Sequence, residues 1–177
     1  MKKAIWLVAS LTAISAACAG VLAYIDGITR DPIERSKTAN TLRAAADVMP
    51  SGVERVEASG EGAFLGLDAS GQVLGYAVRG EDANGYGGEI VLMVGFRADR
   101  RTVVAYKTLA ASETPGLGMN LKSPDFAGQF ADKDGTSLMV KKDGGEIEAI
   151  TSATITSRAV CKAIADARGK LAAQPGE

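Results

Sequence analysis

Residues 148–157 read Glu-Ala-Ile-Thr-Ser-Ala-Thr-Ile-Thr-Ser. Ile147, Ala149 and Ile150 give the start of this stretch the apolar character of a strand end. Ser157 then opens a run to Arg168 in which apolar residues recur at helical spacing. A cluster of hydroxyl residues separates the two parts. The pattern therefore predicts a strand end, a hydroxyl-rich turn and a helix start.

Two interpretations of this turn follow from its local chemistry. A helix N-terminus presents unpaired backbone N–H groups and a positive dipole end, which suits a phosphate group. A threonine hydroxyl beside such a site could bind the phosphate or be esterified by it. Serine and threonine are also ordinary capping and turn residues, so the cluster could equally serve the helix start alone.

The segment resembles the flavinylation motif of two FMN-binding proteins, the G subunit of the Rnf complex and the C subunit of the sodium-pumping NADH:quinone reductase. That motif has an acidic residue, a short spacer and Ser/Thr-Gly-Ala-Thr, whose last threonine carries FMN through a phosphoester. Thr151, Ala153 and Thr154 match its first hydroxyl, its alanine and its acceptor. Ser152 stands where the family usually has glycine, and Glu148 where it usually has aspartate. A turn that needs a positive φ at position 152 would be strained by serine.

A second segment, Ser112 to Met119, supports the same family. Its six residues Glu113 to Gly118 resemble the Glu-Thr-Pro-Gly-Leu-Gly loop of the Rnf G subunit, which lies against the flavin in that family. A third segment, Gly85-Tyr86-Gly87-Gly88 leading into Glu89 to Gly95, is also similar. A glycine-rich turn before a strand is common, so this third match is less specific.

The resemblance implies a covalent FMN on Thr154 and a set of further contacts. The expected contacts with the phosphate are Thr151, Ser152 and the backbone N–H groups around Thr156 and Ser157. Ala153 of the motif belongs to the same cofactor-binding turn. For the ring, they are packing by Leu117 and Met119 and hydrogen bonds with Glu113 and Thr114. Leu117 and Met119 could instead be ordinary core residues. The Thr154 oxygen would be an attachment point and not a catalytic nucleophile.

The N-terminus predicts a membrane anchor. An uncharged run extends from Ala4 to Ile25 and follows Lys2-Lys3, and as a helix it is long enough to span a hydrocarbon core of about 30 Å. The positive-inside rule then keeps the N-terminus in the cytoplasm and places the domain on the periplasmic or outer face of the inner membrane. A cleaved signal peptide ending at Ala17-Cys18-Ala19 is the competing interpretation, but apolar residues continue beyond that site.

The rest of the chain predicts one α+β domain with an antiparallel sheet and flanking helices. The predicted divisions are an anchor over 1–25, a juxtamembrane helix within 26–50, an FMN-binding domain over 51–173 and a disordered tail over 174–177. Asp31-Pro32 is a plausible start for the juxtamembrane helix, which we expect to end near Met49. Ser51 to Gly62 has the pattern of a polar connection.

Hairpin signals occupy the middle of the domain. The predicted strands are Phe64–Asp68, Val73–Val78, Glu89–Phe96, Thr102–Thr108, Ser137–Val140 and Glu146–Ile150. A helix is predicted to begin at Ser123-Pro124 and run through Phe130.

The composition of the chain argues against several classes of function. The chain has no histidine, two cysteines at no metal or iron–sulfur spacing, and net charge −1, which argues against zinc sites, Ser-His or Cys-His dyads and a nucleic-acid partner. The chain also shows no dinucleotide fingerprint after a strand, so we expect no complete dehydrogenase activity from it alone.

The resemblance implies an electron-carrying subunit of an Rnf-type complex, which couples electron transfer between ferredoxin and NAD to Na+ or H+ translocation. The implied partners are iron–sulfur and flavin subunits of that complex, membrane lipid and a flavin transferase for maturation. Two alternatives stay open at this point. One is the FMN subunit of a sodium-pumping NADH:quinone reductase, and the other is a membrane-anchored assembly or binding module without flavin.

Overall fold

The computed structural model describes residues 2–60 and 62–174, so residues 175–177 of the predicted tail lie outside the described residues. The chain divides into two compact units, Met1–Asn40 and Thr41–Glu177. The second unit therefore begins before Ser51, where the sequence pattern predicts the start of the domain.

The first helix, α1, spans Lys2–Asp47. Its segment Ile5–Thr29 is long and apolar enough to cross a membrane, judged by length and composition. The separate helix predicted to start at Asp31-Pro32 is not observed, because the helix continues through these residues. A proline inside a helix removes one hydrogen bond and need not end the helix. The observed end at Asp47 precedes the predicted one at Met49.

A five-stranded sheet forms the centre of the second unit, and its strands are paired in chain order, each antiparallel to the next. The strands are β1 Arg55–Ala58, β2 Ala63–Leu67, β3 Val73–Gly85, β4 Gly88–Arg97 and β5 Val103–Ala111. With helices packed on this sheet, the predicted α+β class is confirmed.

Aspartate side chains shape two of the connecting turns. The Asp68 carboxylate accepts hydrogen bonds from the backbone N–H groups of Ser70 at 2.8 Å and Gln72 at 2.9 Å, between β2 and β3. The Asp99 carboxylate does the same for Arg101 and Thr102 at 2.9 Å, between β4 and β5. Such side-chain bonds mimic a backbone turn. These polar stretches can therefore join β2 to β3 and β4 to β5.

The structure differs from the predicted elements in three places. β1 lies in the stretch Ser51 to Gly62, for which the sequence predicts a polar connection. The two strands predicted after residue 136 form only an isolated parallel bridge between Val140 and Ile147. The helix predicted at Ser123 consists of α2, Pro124–Ala127, followed by a 3-10 turn, Gly128–Phe130.

The last helix, α3, spans Thr154–Ala173 and packs on one face of the sheet. Its buried residues join a core from the strands, including Val78, Leu92, Phe96, Val160, Ile164 and Leu171. Gly80 of β3 permits this contact, because a Cβ there would overlap the Ala163 carbonyl oxygen. Cys161 also lies in this core, and burial raises the pKa of its thiol to about 12. The cysteine therefore packs as a small apolar residue.

The final turn of α1 and the residue that follows it, Val48, cover part of the opposite face of the sheet. Ala44, Ala45 and Val48 form a second buried cluster with Ala77 of β3 and Met93 of β4. Val48 lies so close to β4 that a Cβ added at position 95 would overlap its carbonyl oxygen. The sheet is thus covered on both faces by helical residues of the same unit.

Candidate functional site

The hydroxyl-rich stretch forms a tight turn that leads directly into α3. The Ala153 backbone N–H donates to the Ile150 carbonyl at 2.9 Å, and Thr154 is the first residue of the helix. Ser152, in the middle of this turn, has a φ of 62°. This is the left-handed region that favours glycine, so serine at this position strains the backbone by about 1 kcal/mol or more.

The buried side chain of Ser157 stabilises the turn by hydrogen bonds. Its buried side chain accepts a hydrogen bond from the Ile150 backbone N–H at 2.9 Å and donates one to the Ala153 carbonyl at 2.9 Å. Its own backbone N–H donates to the Ala153 carbonyl at 3.0 Å. The sequence predicts a phosphate contact for Ser157, but its hydroxyl and its N–H group already have partners within the turn.

Gln129 forms hydrogen bonds with the backbone just before the turn. Its side-chain amide accepts a hydrogen bond from the Glu148 backbone N–H at 2.7 Å and donates one to the Glu148 carbonyl at 3.3 Å. The Glu148 carboxylate forms an ion pair with Lys141. Gln129 thus replaces the backbone partner that a neighbouring strand would supply.

The segment Glu113 to Gly118 is a compact loop. Its Thr114 carbonyl accepts hydrogen bonds from the backbone N–H groups of Leu117 at 3.2 Å and Met119 at 3.1 Å. Gly116 has a φ of 75°, a conformation that suits glycine. The loop is therefore closed by its own backbone and presents Leu117 on its outer side, 43% exposed.

Glu113 joins this loop to the β3–β4 turn. The residue is only 6% exposed, and its Oε1 accepts a hydrogen bond from the Gly87 backbone N–H at 3.3 Å. Among the described residues, Oε2 has no hydrogen-bond partner. Gly118 leaves room for this oxygen, because a Cβ at that position would overlap Oε2.

The turn, the loop and the β3–β4 turn enclose a cavity of about 550 Å³, which we call the main cavity. Its lining consists of Tyr86, Glu113, Thr114, Leu117, Gly118, Ser152, Ala153, Thr154, Ile155 and Thr156. Large exposed apolar side chains from all three segments lie at its edge: Tyr86, Leu117 and Ile155. Thr156 is fully buried, and its hydroxyl has no partner among the described residues.

Most of the residues expected from the sequence meet at the main cavity. Those that line it are Glu113, Thr114, Leu117, Ser152, Ala153, Thr154 and Thr156. Met119, Thr151 and Ser157 are absent from its lining. Tyr86 and Ile155 line the cavity without being predicted site residues. The glycine-rich stretch around Tyr86 is the sequence feature that could have indicated this residue. Ile155 has the pattern of an ordinary helix residue, so the sequence does not indicate its role.

A second recess also borders Thr154. It has a volume of about 240 Å³ and is lined by Lys141, Lys142, Glu148, Ala149, Ile150, Thr151, Ser152 and Thr154. We call it the lysine recess. Lys142 Nζ lies 3.5 Å from Thr154 Oγ1 and donates a hydrogen bond to it. Thr151, which is missing from the main cavity, lies here.

The described residues contain no group of three or more His, Cys, Asp or Glu side chains that could hold a metal ion. The main cavity has instead the features of a site for an organic cofactor. It combines apolar walls, a few buried polar atoms and the N-terminus of a long helix.

Comparison with known proteins identifies the class of this domain. Residues 85–169 match the family described as FMN-binding domain, and this range contains all three segments of the main cavity. The chain is 34% identical to the G subunit of the ion-translocating oxidoreductase complex of Methanosarcina acetivorans, over 96% of this chain and 95% of that relative. The chain therefore belongs to the family of G subunits of ion-translocating oxidoreductase complexes.

Other relatives agree with this assignment. The G subunit of the Na(+)-translocating ferredoxin:NAD(+) oxidoreductase complex of Acetobacterium woodii is 30% identical over 87% of this chain and 84% of its own length. Among solved structures, the C subunit of the Na(+)-translocating NADH-quinone reductase from Parabacteroides distasonis aligns with a TM-score of 0.52. The alignment covers 64% of this chain and 63% of that one at 23% identity, which shows a shared fold.

Proposed function

We propose that this chain is the FMN-carrying, electron-transferring subunit of an Rnf-type complex, with FMN joined to Thr154 through a phosphoester. One observation carries the proposal. Thr154 lies at the first position of α3 and lines the main cavity, whose other walls come from the Glu113 loop and the Tyr86 turn. Three segments far apart in the chain thus converge on the hydroxyl that the motif marks as the acceptor.

The residues of the main cavity fit a flavin nucleotide. A volume of about 550 Å³ lies within the range of roughly 300–1,000 Å³ that is usual for small-molecule sites. Glu113 Oε2 and Thr156 Oγ1 are buried and have no partners among the described residues. Leaving such a group unpaired costs about 1–3 kcal/mol, so a ligand that hydrogen-bonds to both would stabilise the domain.

Each group has a role in this proposal. Bound FMN supplies transfer of one or two electrons, which lets a carrier join partners that differ in electron number. Tyr86, Leu117 and Ile155 contact the ring and exclude water from it, while the Glu113 carboxylate accepts a hydrogen bond from an N–H or O–H group. Thr154 holds the cofactor permanently, because a covalent bond removes dissociation.

The proposed setting is the inner membrane. We place the N-terminus in the cytoplasm and the domain on the periplasmic or outer face, since Lys2 and Lys3 precede the apolar segment. On that face the chain exchanges electrons with flavin and iron–sulfur subunits of the complex, and a flavin transferase attaches the FMN. The complex couples electron flow between ferredoxin and NAD to Na+ or H+ translocation, and this chain alone has no complete activity.

Attachment at Thr154 is tested by producing native, Thr154→Val and Thr154→Ser proteins together with a flavin transferase. Valine keeps the branched shape without a hydroxyl, and serine keeps the hydroxyl without the branch. Under ultraviolet light on a denaturing gel, we expect a fluorescent band for the native and Ser proteins and none for the Val protein. Absence of fluorescence in the native protein would reject covalent FMN and favour a flavin-free assembly module.

A further inference from the structure

We infer that the lysine recess is the subsite for the flavin phosphate and that Lys142 is the cation that binds it. This inference rests on the proposed function, because it assumes that Thr154 carries the phosphoester. It adds a residue outside the flavinylation motif, contributed by the 3-10 turn Lys141–Asp143.

Thr154 lies at the boundary between two cavities of different character. Both Thr154 and Ser152 line the main cavity and also the lysine recess. A group esterified on Thr154 Oγ1 can therefore reach either side. The phosphate has to lie within bonding distance of that oxygen, and Lys142 Nζ is already 3.5 Å from it.

The main cavity and the lysine recess differ in charge. The main cavity contains the buried Glu113 carboxyl group, and a carboxylate in a poorly solvated site repels a second anion strongly. The lysine recess contains two lysines and one glutamate. The positive end of α3, at Thr154, borders both cavities and therefore favours an anion near Thr154 without choosing between them. A phosphate is therefore favoured on the lysine side.

Only one of the nearby cations in the described part of the chain is available for the phosphate. Lys141 forms an ion pair with Glu148. Arg158 donates two hydrogen bonds of 2.6 Å to the carboxylate of Asp143, and these bonds hold the pKa of Asp143 below its usual range. Among the same described residues, Lys142 has no such carboxylate partner, and its contact is the Thr154 hydroxyl.

This arrangement orients the cofactor. With its phosphate in the lysine recess, the ring side of the nucleotide is left to the main cavity, where Tyr86, Leu117 and Ile155 provide apolar contacts. The Glu113 carboxylate then faces the neutral part of the ligand. The two cavities thus divide one ligand into an anionic end and an aromatic end.

The subsite is tested first on the protein without flavin. Inorganic phosphate is titrated into native, Lys142→Met, Lys142→Arg and Lys162→Met proteins, and the backbone amide resonances of Thr154 to Thr156 report binding. We expect phosphate binding about threefold to fivefold weaker in Lys142→Met, as for one exposed ion pair, with recovery in Lys142→Arg. Lys162→Met is the matched control, because Lys162 is an exposed lysine of α3 that lines neither cavity, and the difference should shrink at high salt.

The flavin-loaded proteins provide the second measurement, the 31P resonance of the phosphoester. We expect the resonance to move in Lys142→Met and to stay near its native position in Lys162→Met and Lys142→Arg. An unchanged resonance in loaded Lys142→Met would overturn the inference and leave the proposed function intact. If native protein takes up no flavin, the proposed function fails and this inference fails with it, and the phosphate titration then reports only whether the recess binds an anion. Equal weakening in both methionine variants, or no phosphate binding to native protein, would also overturn it.

Discussion

The sheet and the connection that follows it are built by different means. From β2 to β5 the backbone pairs with backbone, and buried apolar side chains cover both faces. Between β5 and α3, short backbone turns are supplemented by side chains that bind the backbone: Glu113 binds Gly87, Gln129 binds Glu148, and Ser157 binds Ile150 and Ala153. The sheet therefore supplies most of the stability, whereas the shape of the main cavity depends on a few polar bonds.

The largest effect in this comparison should come from the sheet core. Phe96→Ala removes a fully buried ring from the core that the sheet and α3 share and should lower the free energy of unfolding by about 3–5 kcal/mol. Chemical denaturation of the flavin-free protein measures this change. Tyr86→Ala is the control, because Tyr86 is 73% exposed and should lose less than about 0.5 kcal/mol. Equal losses of unfolding free energy in the two variants would contradict the distinction between the sheet core and the cavity edge.

Ser157→Ala should have an intermediate effect, concentrated on the turn. It leaves the buried Ile150 N–H without its side-chain acceptor, at a cost of about 1–3 kcal/mol. Hydrogen exchange at Ile150 should accelerate more than exchange in β4, and attachment of flavin should slow. Ser70→Ala removes an exposed hydroxyl from a sheet turn and serves as the control. A uniform acceleration across β4 and the turn would contradict a local role for Ser157.

The smallest effect should come from Ser152→Gly, and it should be stabilising. Glycine adopts a φ of 62° without the clash that a side chain introduces, so we expect a gain of about 1 kcal/mol or less after its greater entropy loss. Thr151→Gly is the neighbouring control, and it should destabilise because Thr151 does not have a positive φ. Thermal unfolding of the two variants measures both changes. A destabilised Ser152→Gly protein would show that the Ser152 side chain stabilises the turn by more than the strain costs.

Much of the fold could be predicted from the sequence because its signals are local. Alternating apolar residues with turn residues at Ser70-Gly71 and Ala98 to Arg100 indicate two hairpins, and both are confirmed. β1 escapes prediction because Arg55–Ala58 is short, polar and at the sheet edge, where pairing with β2 decides its structure. The short apolar runs around Val140 and Ile147 resemble strands, yet each supplies one residue to a single bridge.

The site is predictable only where it has a motif. Thr154 and the Glu113 loop are indicated by resemblance to a family, and both line the main cavity. Lys142 and Gln129 act through contacts with residues 12 and 19 positions away, respectively. Such contacts depend on how the irregular connection folds, and neither residue differs in sequence from an ordinary surface lysine or glutamine.

The end of α1 has a practical consequence for preparing the domain in water. Ala44, Ala45 and Val48 are buried against Ala77 and Met93, so they belong to the folding unit and not to a linker. A soluble fragment that starts at Ser51 would uncover this apolar face and invite aggregation. A fragment that starts at Thr41 retains the cover and omits the apolar span, which makes it the better starting material for spectroscopy and crystallisation.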